Sequence, residues 1–102
     1  MTNVRDALEA MAETVAPFNE NAASHLRELK KQLPQQIADD LSLWGGAGSL
    51  MDQGISGQGR EIQRIFESKV IALGHALKES GAANARMEKW LGVFESWSSS
   101  GV

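Results

Sequence analysis

The sequence contains no cysteine, so disulfides are not a source of its stability. Small secreted domains are commonly held together by disulfides, and their absence favours a reducing compartment. Residues 1–6 lack the basic region followed by an apolar run that marks a secretory signal. No apolar run is long enough to span a bilayer. We therefore expect a cytoplasmic protein with no membrane partner, unless a signal-less system exports it.

A clustered basic surface is missing as well. Ten Lys and Arg residues stand against thirteen Asp and Glu residues, which gives a formal net charge of −3. Binding to the phosphates of nucleic acids depends on clustered cations. The cations within 27–31 and 60–64 lie among glutamates, a pattern typical of solvated helix faces. We therefore expect no nucleic-acid partner.

Strand patterns are also lacking. Tyrosine is absent, β-branched residues are few, and no segment alternates apolar with polar residues. Helix-forming residues such as Ala, Leu, Glu, Lys, Gln and Arg dominate instead. A length of 102 residues corresponds to one domain. The sequence therefore predicts a single all-α domain over residues 1–102, with about five helices and a glycine-rich central turn.

Two prolines and several asparagines indicate where the first helices begin and end. The first helix begins near Thr2 or Asn3 and stops before Pro17, because proline disfavours a helical residue in front of it. The second begins at Asn19 or Asn21, and Pro34 either kinks it or starts a fresh helix. We predict that its apolar seam comprises Leu26, Leu29, Leu33, Ile37, Leu41 and Trp44.

Further along, helices are predicted over about 50–53, 60–79 and 83–97. Gly81 stands where a left-handed helix cap belongs. The serine-rich tail, residues 98–102, is expected to fray.

The central stretch over 43–52 reads Leu-Trp-Gly-Gly-Ala-Gly-Ser-Leu-Met-Asp. Ordered glycines cost backbone entropy, so such a cluster indicates positive φ angles or a close approach of the backbone. Ser49 followed three residues later by Asp52 is typical of a capping box at the start of a helix. We predict a structural turn formed by Trp44, Gly45, Gly46, Gly48 and Ser49.

Motifs that carry chemistry are scarce. His25 and His75 lie on different predicted helices, and neither has a second histidine three or four residues on, so neither belongs to a helical His–His metal pair. Asp39 and Asp40 are adjacent and would point in different directions on a helix, so a helix start is their expected use. The segment 57–60 could place an anion near Arg60, but a plain connector is favoured. We expect no catalytic, cofactor or metal site, and hence no enzyme.

The last predicted helix carries a heavy apolar stripe. Its members are Met87, Trp90, Leu91, Phe94 and Trp97. Most such stripes fill a core, yet this chain is small and Trp97 lies near its end. Tryptophan is enriched in binding hot spots. We expect the inner stripe to pack in the core and the outer end to meet another protein or a second copy of the chain. The candidate partner-binding residues are Trp97, Phe94, Arg60 and Asp52.

The central stretch resembles a signature of small bacterial proteins of immunity type. The signature comprises an aliphatic and an aromatic residue, Gly-Gly, a small residue or Met, Gly-Ser, two variable residues and an acid. It is matched in place by Leu43, Trp44, Gly45, Gly46, Gly48, Ser49 and Asp52. The resemblance implies an accessory or immunity protein and not an enzyme. The long helix expected after Gly81 departs from the pattern and leaves the last third of the chain unassigned.

The tripeptide Trp44-Gly45-Gly46 also resembles the Trp-x-Gly turn of WXG-type secreted helical hairpins. Pro17, Pro34 and the glycine-rich segment 54–59 would break the two long arms of that fold. The tyrosine of its C-terminal export signal is absent. We therefore predict a bacterial immunity or antitoxin-type inhibitor that docks on a toxin or effector, and its acidic charge suits a basic partner. The alternatives are the secreted hairpin and a phage-encoded inhibitor of a host defence complex.

Overall fold

The computed structural model describes residues 3–45 and 59–100, apart from the side chains of Ser42 and Ser100. The helices in these ranges are α1 (Val4–Val15), α2 (Glu20–Leu29), α3 (Pro34–Ala38), α4 (Leu41–Trp44), α5 (Arg60–Glu79) and α6 (Ala85–Ser100). Neither described range contains a strand. The predicted all-α class is therefore confirmed. Among the described helices, none has the length and apolar character needed to cross a membrane.

Asparagine side chains cap the first two helices, as the sequence predicts. Asn3 Oδ1 accepts a hydrogen bond of 2.8 Å from the Asp6 amide at the start of α1. Asn19 Oδ1 accepts one of 3.1 Å from the Ala22 amide at the start of α2. Each bond satisfies an amide that has no partner inside the helix. α1 ends at Val15, two residues before Pro17.

The region around Pro34 restarts as a new helix and does not kink an existing one. Pro34 occupies the first turn of α3, where its missing N–H is no loss. The Leu33 amide donates to Gln36 Oε1 over 2.9 Å, so the start of the helix is capped from within. α3 then ends after five residues, and Asp40 caps α4 by accepting from the Leu43 amide at 3.1 Å.

Because the chain restarts again at Asp40, part of the predicted apolar seam is wrong. Ile37 and Trp44 are buried, but Leu33 is 68% exposed and Leu41 is 62% exposed. The prediction assumed one helical register through residue 44. The chain leaves helical geometry around Leu33 and again at Asp40, so each new helix turns a different set of residues toward the core.

The core lies mainly between α1, α2 and α5. α1 packs against both α2 and α5, and α6 packs against α5. The largest fully buried side chains are Trp44, Phe66, Leu8, Met11, Leu26 and Ile37. α5 and α6 approach closely at Gly74, which a Cβ would bring within 2.7 Å of Leu91 Cδ1.

Gly81 ends α5 in the left-handed conformation that the sequence predicts, with φ of +88°. The Ala82 amide donates to the Leu77 carbonyl and the Gly81 amide to the Lys78 carbonyl, each over 3.0 Å. This paired arrangement is the Schellman motif. α6 continues through Ser100, three residues past its predicted end. No glycine or proline stands between Trp97 and Gly101 to stop it.

Several sequence predictions lie outside the described residues. They are the roles of Gly46, Gly48 and Ser49 in the central turn, the capping by Asp52, the short helix at 50–53, and residues 101–102 of the tail.

Candidate functional site

Trp44 and Gly45 stand where α4 ends, and their surroundings explain the residue types. Trp44 is 1% exposed, and its indole Nε1–H donates to the Ile37 carbonyl over 3.1 Å. The Gly45 amide donates to the Leu41 carbonyl over 2.9 Å. A Cβ built on Gly45 would overlap that same carbonyl oxygen. Gly45 has φ of −67°, so close approach and not positive φ is what requires glycine here.

A row of aromatic rings leads from the core to the surface between α5 and α6. The Phe66 and Phe94 ring centroids lie 6.0 Å apart in an edge-to-face arrangement. Phe94 meets Trp97 in the same manner at 5.3 Å and lies 6.2 Å from Trp90. Such pairs contribute beyond the burial of their area. The row therefore fixes Trp97 to a buried base, although 44% of Trp97 is exposed.

The four candidate partner-binding residues differ in exposure. Phe94 is 2% exposed and belongs to the core, so a partner at this surface would touch Trp97 and not Phe94. Arg60 is exposed at the first residue of α5. Asp52 lies outside the described residues. Trp97 and Arg60 are therefore the predicted residues that the described surface offers to a partner.

A second surface feature lies between the end of α4 and the first half of α6, and we call it the α4–α6 cleft. It has a volume of about 330 Å³ and is lined by Trp44, Gly45, Arg86, Lys89, Trp90 and Val93. The four residues from α6 are spaced i, i+3, i+4 and i+7, which places them on one face of the helix. Two aromatic rings and a valine thus form apolar walls, and two cations stand beside them.

No described carboxylate lies within ion-pair distance of Arg86 or Lys89. The cations at the end of α2 differ, because Arg27 on α2 and Lys30 just after it both bind Glu9, with N–O distances of 3.1 Å and 2.5 Å. Hydrogen bonds from Lys30 and then Arg27 hold the pKa of the Glu9 carboxyl below its ordinary value. The α2 cations are therefore neutralised locally, whereas the described part of the chain supplies no such partner at the cleft.

A polar clamp holds α3 against the start of α6. The Gln35 side-chain amide donates to the Ala83 carbonyl over 2.8 Å and accepts from the Ala83 amide over 3.0 Å. Asp39 Oδ1 accepts from Asn84 Nδ2 at 2.7 Å and from Gln35 Nε2 at 3.0 Å. The clamp positions the first turn of α6, and with it Arg86 and Lys89, relative to α3 and α4.

The two histidines each lie near one carboxylate. His25 Nε2 is 3.2 Å from Asp40 Oδ2, and His75 Nε2 is 3.2 Å from Glu95 Oε1. Asp40 also caps α4, so its carboxylate serves the helix start that the sequence predicts. No group of three metal-ligating side chains occurs among the described residues. Both pairs therefore link neighbouring parts of the fold.

One buried carboxylate lies outside both surface features. Glu67 on α5 is 7% exposed, and its Oε1 has no hydrogen-bond partner in the described part of the chain. Burying a charged group without a partner is costly. Nothing in the described structure explains this placement.

The α4–α6 cleft was missed by sequence reasoning. The spacing of Arg86, Lys89, Trp90 and Val93 was visible, but the opposite wall comes from Trp44, more than forty positions earlier. No family model, curated protein or solved structure matches the chain.

Proposed function

We propose that this chain is a protein-binding inhibitor of the bacterial immunity or antitoxin type, which neutralises a toxin or effector by docking directly on it. The observation that supports the proposal is Trp97, a large apolar side chain that is 44% exposed on the last turns of a helix. Single exposed apolar residues are common on surfaces. Trp97 differs because an aromatic row anchors it to the core.

Anchoring matters because binding costs conformational freedom. A tryptophan has two side-chain torsions, and the edge-to-face contact with Phe94 restrains them before any partner arrives. A contact residue that is already ordered loses less entropy on binding. Trp97 therefore has the properties of a hot spot, which combines a large apolar area with a fixed position.

Charge adds a second argument about the partner. The net charge of −3 favours encounter with a basic protein, because complementary fields speed association. A second copy of this chain would carry the same sign of charge and gain no such steering. We therefore favour a basic toxin over self-association.

The secreted-hairpin alternative receives no support from the arrangement of the helices. That fold places one long helix before the Trp-Gly turn. In this chain α1, α2, α3 and α4 occupy the region before Gly45. The inhibitor proposal is thus retained as the first choice.

The test compares two matched aromatic truncations. Trp97→Ala removes the exposed end of the row, and Phe18→Ala removes another aromatic side chain, 41% exposed, between α1 and α2. Tagged wild-type, Trp97→Ala and Phe18→Ala proteins are used to capture partners from cells of the source organism. Circular dichroism first shows that both variants retain wild-type helicity. A protein captured by the wild type is then produced in a host whose growth it arrests.

The proposal expects co-expression of the wild type and of Phe18→Ala to restore growth, and expects Trp97→Ala to bind at least about tenfold more weakly, as hot-spot truncations do. The docking surface would be wrong if folded Trp97→Ala bound and protected as well as the wild type. The inhibitor function itself would be wrong if the captured protein kept full activity when saturated with this chain.

A further inference from the structure

We propose that the α4–α6 cleft binds a small organic anion that joins a carboxylate to an apolar body, such as an aromatic carboxylate. The juxtaposition that carries this inference is Trp90 and Val93 beside Trp44, with Arg86 and Lys89 on the same helix face. The inference is independent of the docking surface at Trp97.

The size of the cleft favours a small molecule. Its volume of about 330 Å³ lies at the lower end of the range for ligand pockets, roughly 300–1,000 Å³. Pockets of this kind have mostly apolar linings with a few polar groups that fix the orientation of the ligand. Trp44, Trp90 and Val93 supply the apolar part, and the two cations supply the polar part.

The two cations that line the cleft indicate that its ligand is negatively charged. Arg86 and Lys89 lie in the first turns of α6, where the helix dipole already places partial positive charge. Cations at that end are unfavourable for the helix, and no described carboxylate lies within ion-pair distance of either. Asp39 and Glu88 stand near the same end, but Asp39 bonds to Gln35 and Asn84, and neither carboxylate lines the cleft. An anion between Arg86 and Lys89 would relieve this concentration of positive charge.

The apolar walls of the cleft indicate the chemistry of the uncharged part of the ligand. A bare inorganic anion would leave the Trp90 and Val93 surfaces in contact with water. A flat ring or short aliphatic body removes those surfaces from water while the carboxylate stays beside the cations. The guanidinium of Arg86 can hold a carboxylate through two parallel hydrogen bonds, which fixes the orientation of the ligand.

The experiment uses naphthoate as the probe and naphthamide, its uncharged analogue, as the matched ligand control. Binding to the full chain is followed by isothermal titration calorimetry and by the indole N–H signals in a ¹H–¹⁵N spectrum. For a fragment of this size a dissociation constant of about 1 mM is expected. The Trp90 indole signal should shift, and naphthamide should bind about five- to tenfold more weakly because it lacks the charge.

Three variants assign the site. The double variant Arg86→Gln with Lys89→Gln should weaken naphthoate about five- to tenfold and leave naphthamide unchanged. Lys78→Gln, an exposed cation on α5 that does not line the cleft, should leave both ligands unchanged. Trp97→Ala should also leave naphthoate binding unchanged. All the substituted side chains are exposed, and thermal melts verify that each variant is folded.

Each of the following results would overturn the inference. One is no naphthoate binding at several times 1 mM, the expected dissociation constant. Another is equal affinity for naphthoate and naphthamide. A third is an unchanged affinity in the double variant, or an equal loss in Lys78→Gln, because either would assign the binding to general surface charge.

Discussion

Two glycines in the middle of helices provide a sharp test of how α5 and α6 pack. Gly74 on α5 is buried, and a Cβ there would lie 2.7 Å from Leu91 Cδ1, 3.1 Å from Cδ2 and 3.2 Å from Cγ. Gly92 on α6 is exposed, and a Cβ there would have no neighbour within 4 Å. The same substitution, glycine to alanine, therefore meets a crowded site on one helix and open solvent on the other.

The expected magnitudes follow from two opposing effects. Alanine in a helix interior is more favourable than glycine by about 1 kcal/mol, and this gain applies at both sites. At Gly74 the added methyl must displace Leu91, which is 2% exposed and has little room to move. Overpacking a core in this way costs about 1–3 kcal/mol. We expect Gly92→Ala to stabilise the fold by about 0.5–1 kcal/mol. Gly74→Ala should be less stable than Gly92→Ala by about 1–3 kcal/mol, because the helix gain cancels in the comparison.

Urea unfolding followed by circular dichroism at the helix band measures both free energies. A thermal melt gives a second reading, since about 1 kcal/mol shifts the midpoint of a domain of this size by roughly 4–8 °C. An unchanged dependence of the unfolding free energy on urea concentration would show that only stability, and not the denatured state, has changed. The packing argument would be refuted if Gly74→Ala stabilised the protein as much as Gly92→Ala does.

Three further outcomes are expected. Gly45→Ala should lower the free energy of unfolding in urea by about 1–3 kcal/mol, because the new Cβ meets the Leu41 carbonyl, which the backbone cannot readily move; an unchanged midpoint would contradict this. Gln35→Ala should cost about 1 kcal/mol and speed hydrogen exchange at the Ala83 amide, which loses its acceptor; unchanged exchange there would show that the clamp is unimportant. Hydrogen-bonded ion pairs with Lys30 and Arg27 lower the pKa of Glu9 in the folded state. Their contribution to stability is therefore complete above the ordinary pKa of about 4.5 and is lost as the pH falls through the lowered pKa. Glu9→Gln should flatten the loss of stability in that acid range, and an identical pH profile for both proteins would refute it.

The helix ends were predictable because they depend on chemistry within a few residues. An asparagine oxygen reaches the amide three residues on, whatever the rest of the chain does. The left-handed cap at Gly81 is equally local, since only glycine adopts that backbone angle without strain. These signals located α1, the start of α2 and the end of α5 from the sequence.

The positions of Leu33 and Leu41 were not predictable in the same way. Their spacing matches a continuous seam, yet both are exposed because the chain restarts at Pro34 and again at Asp40. Asp40 caps α4 by accepting from the Leu43 amide, and its carboxylate also lies near His25 Nε2 on α2. The periodic pattern of apolar residues contains no information about where the chain leaves one helix and starts the next.

The apolar stripe on α6, which the sequence predicts as one face, is divided in the structure between the core and the surface. Successive helical residues turn by about 100°, so Met87, Leu91 and Phe94 fall within roughly 60° of one another. These three residues are buried and define the side that faces the core.

Trp90 and Trp97 lie about 60–90° to one side of that direction, and Arg86 and Val93 lie further round on the same side, at about 110–130°. α6 cannot bury both groups at once. A rotation that moved the tryptophans into the core would expose Leu91, which packs on Gly74. The buried trio therefore fixes the rotation of α6, and the rotation presents the tryptophan side on the surface. For this reason the α4–α6 cleft and the docking residue Trp97 occupy the same flank of one helix.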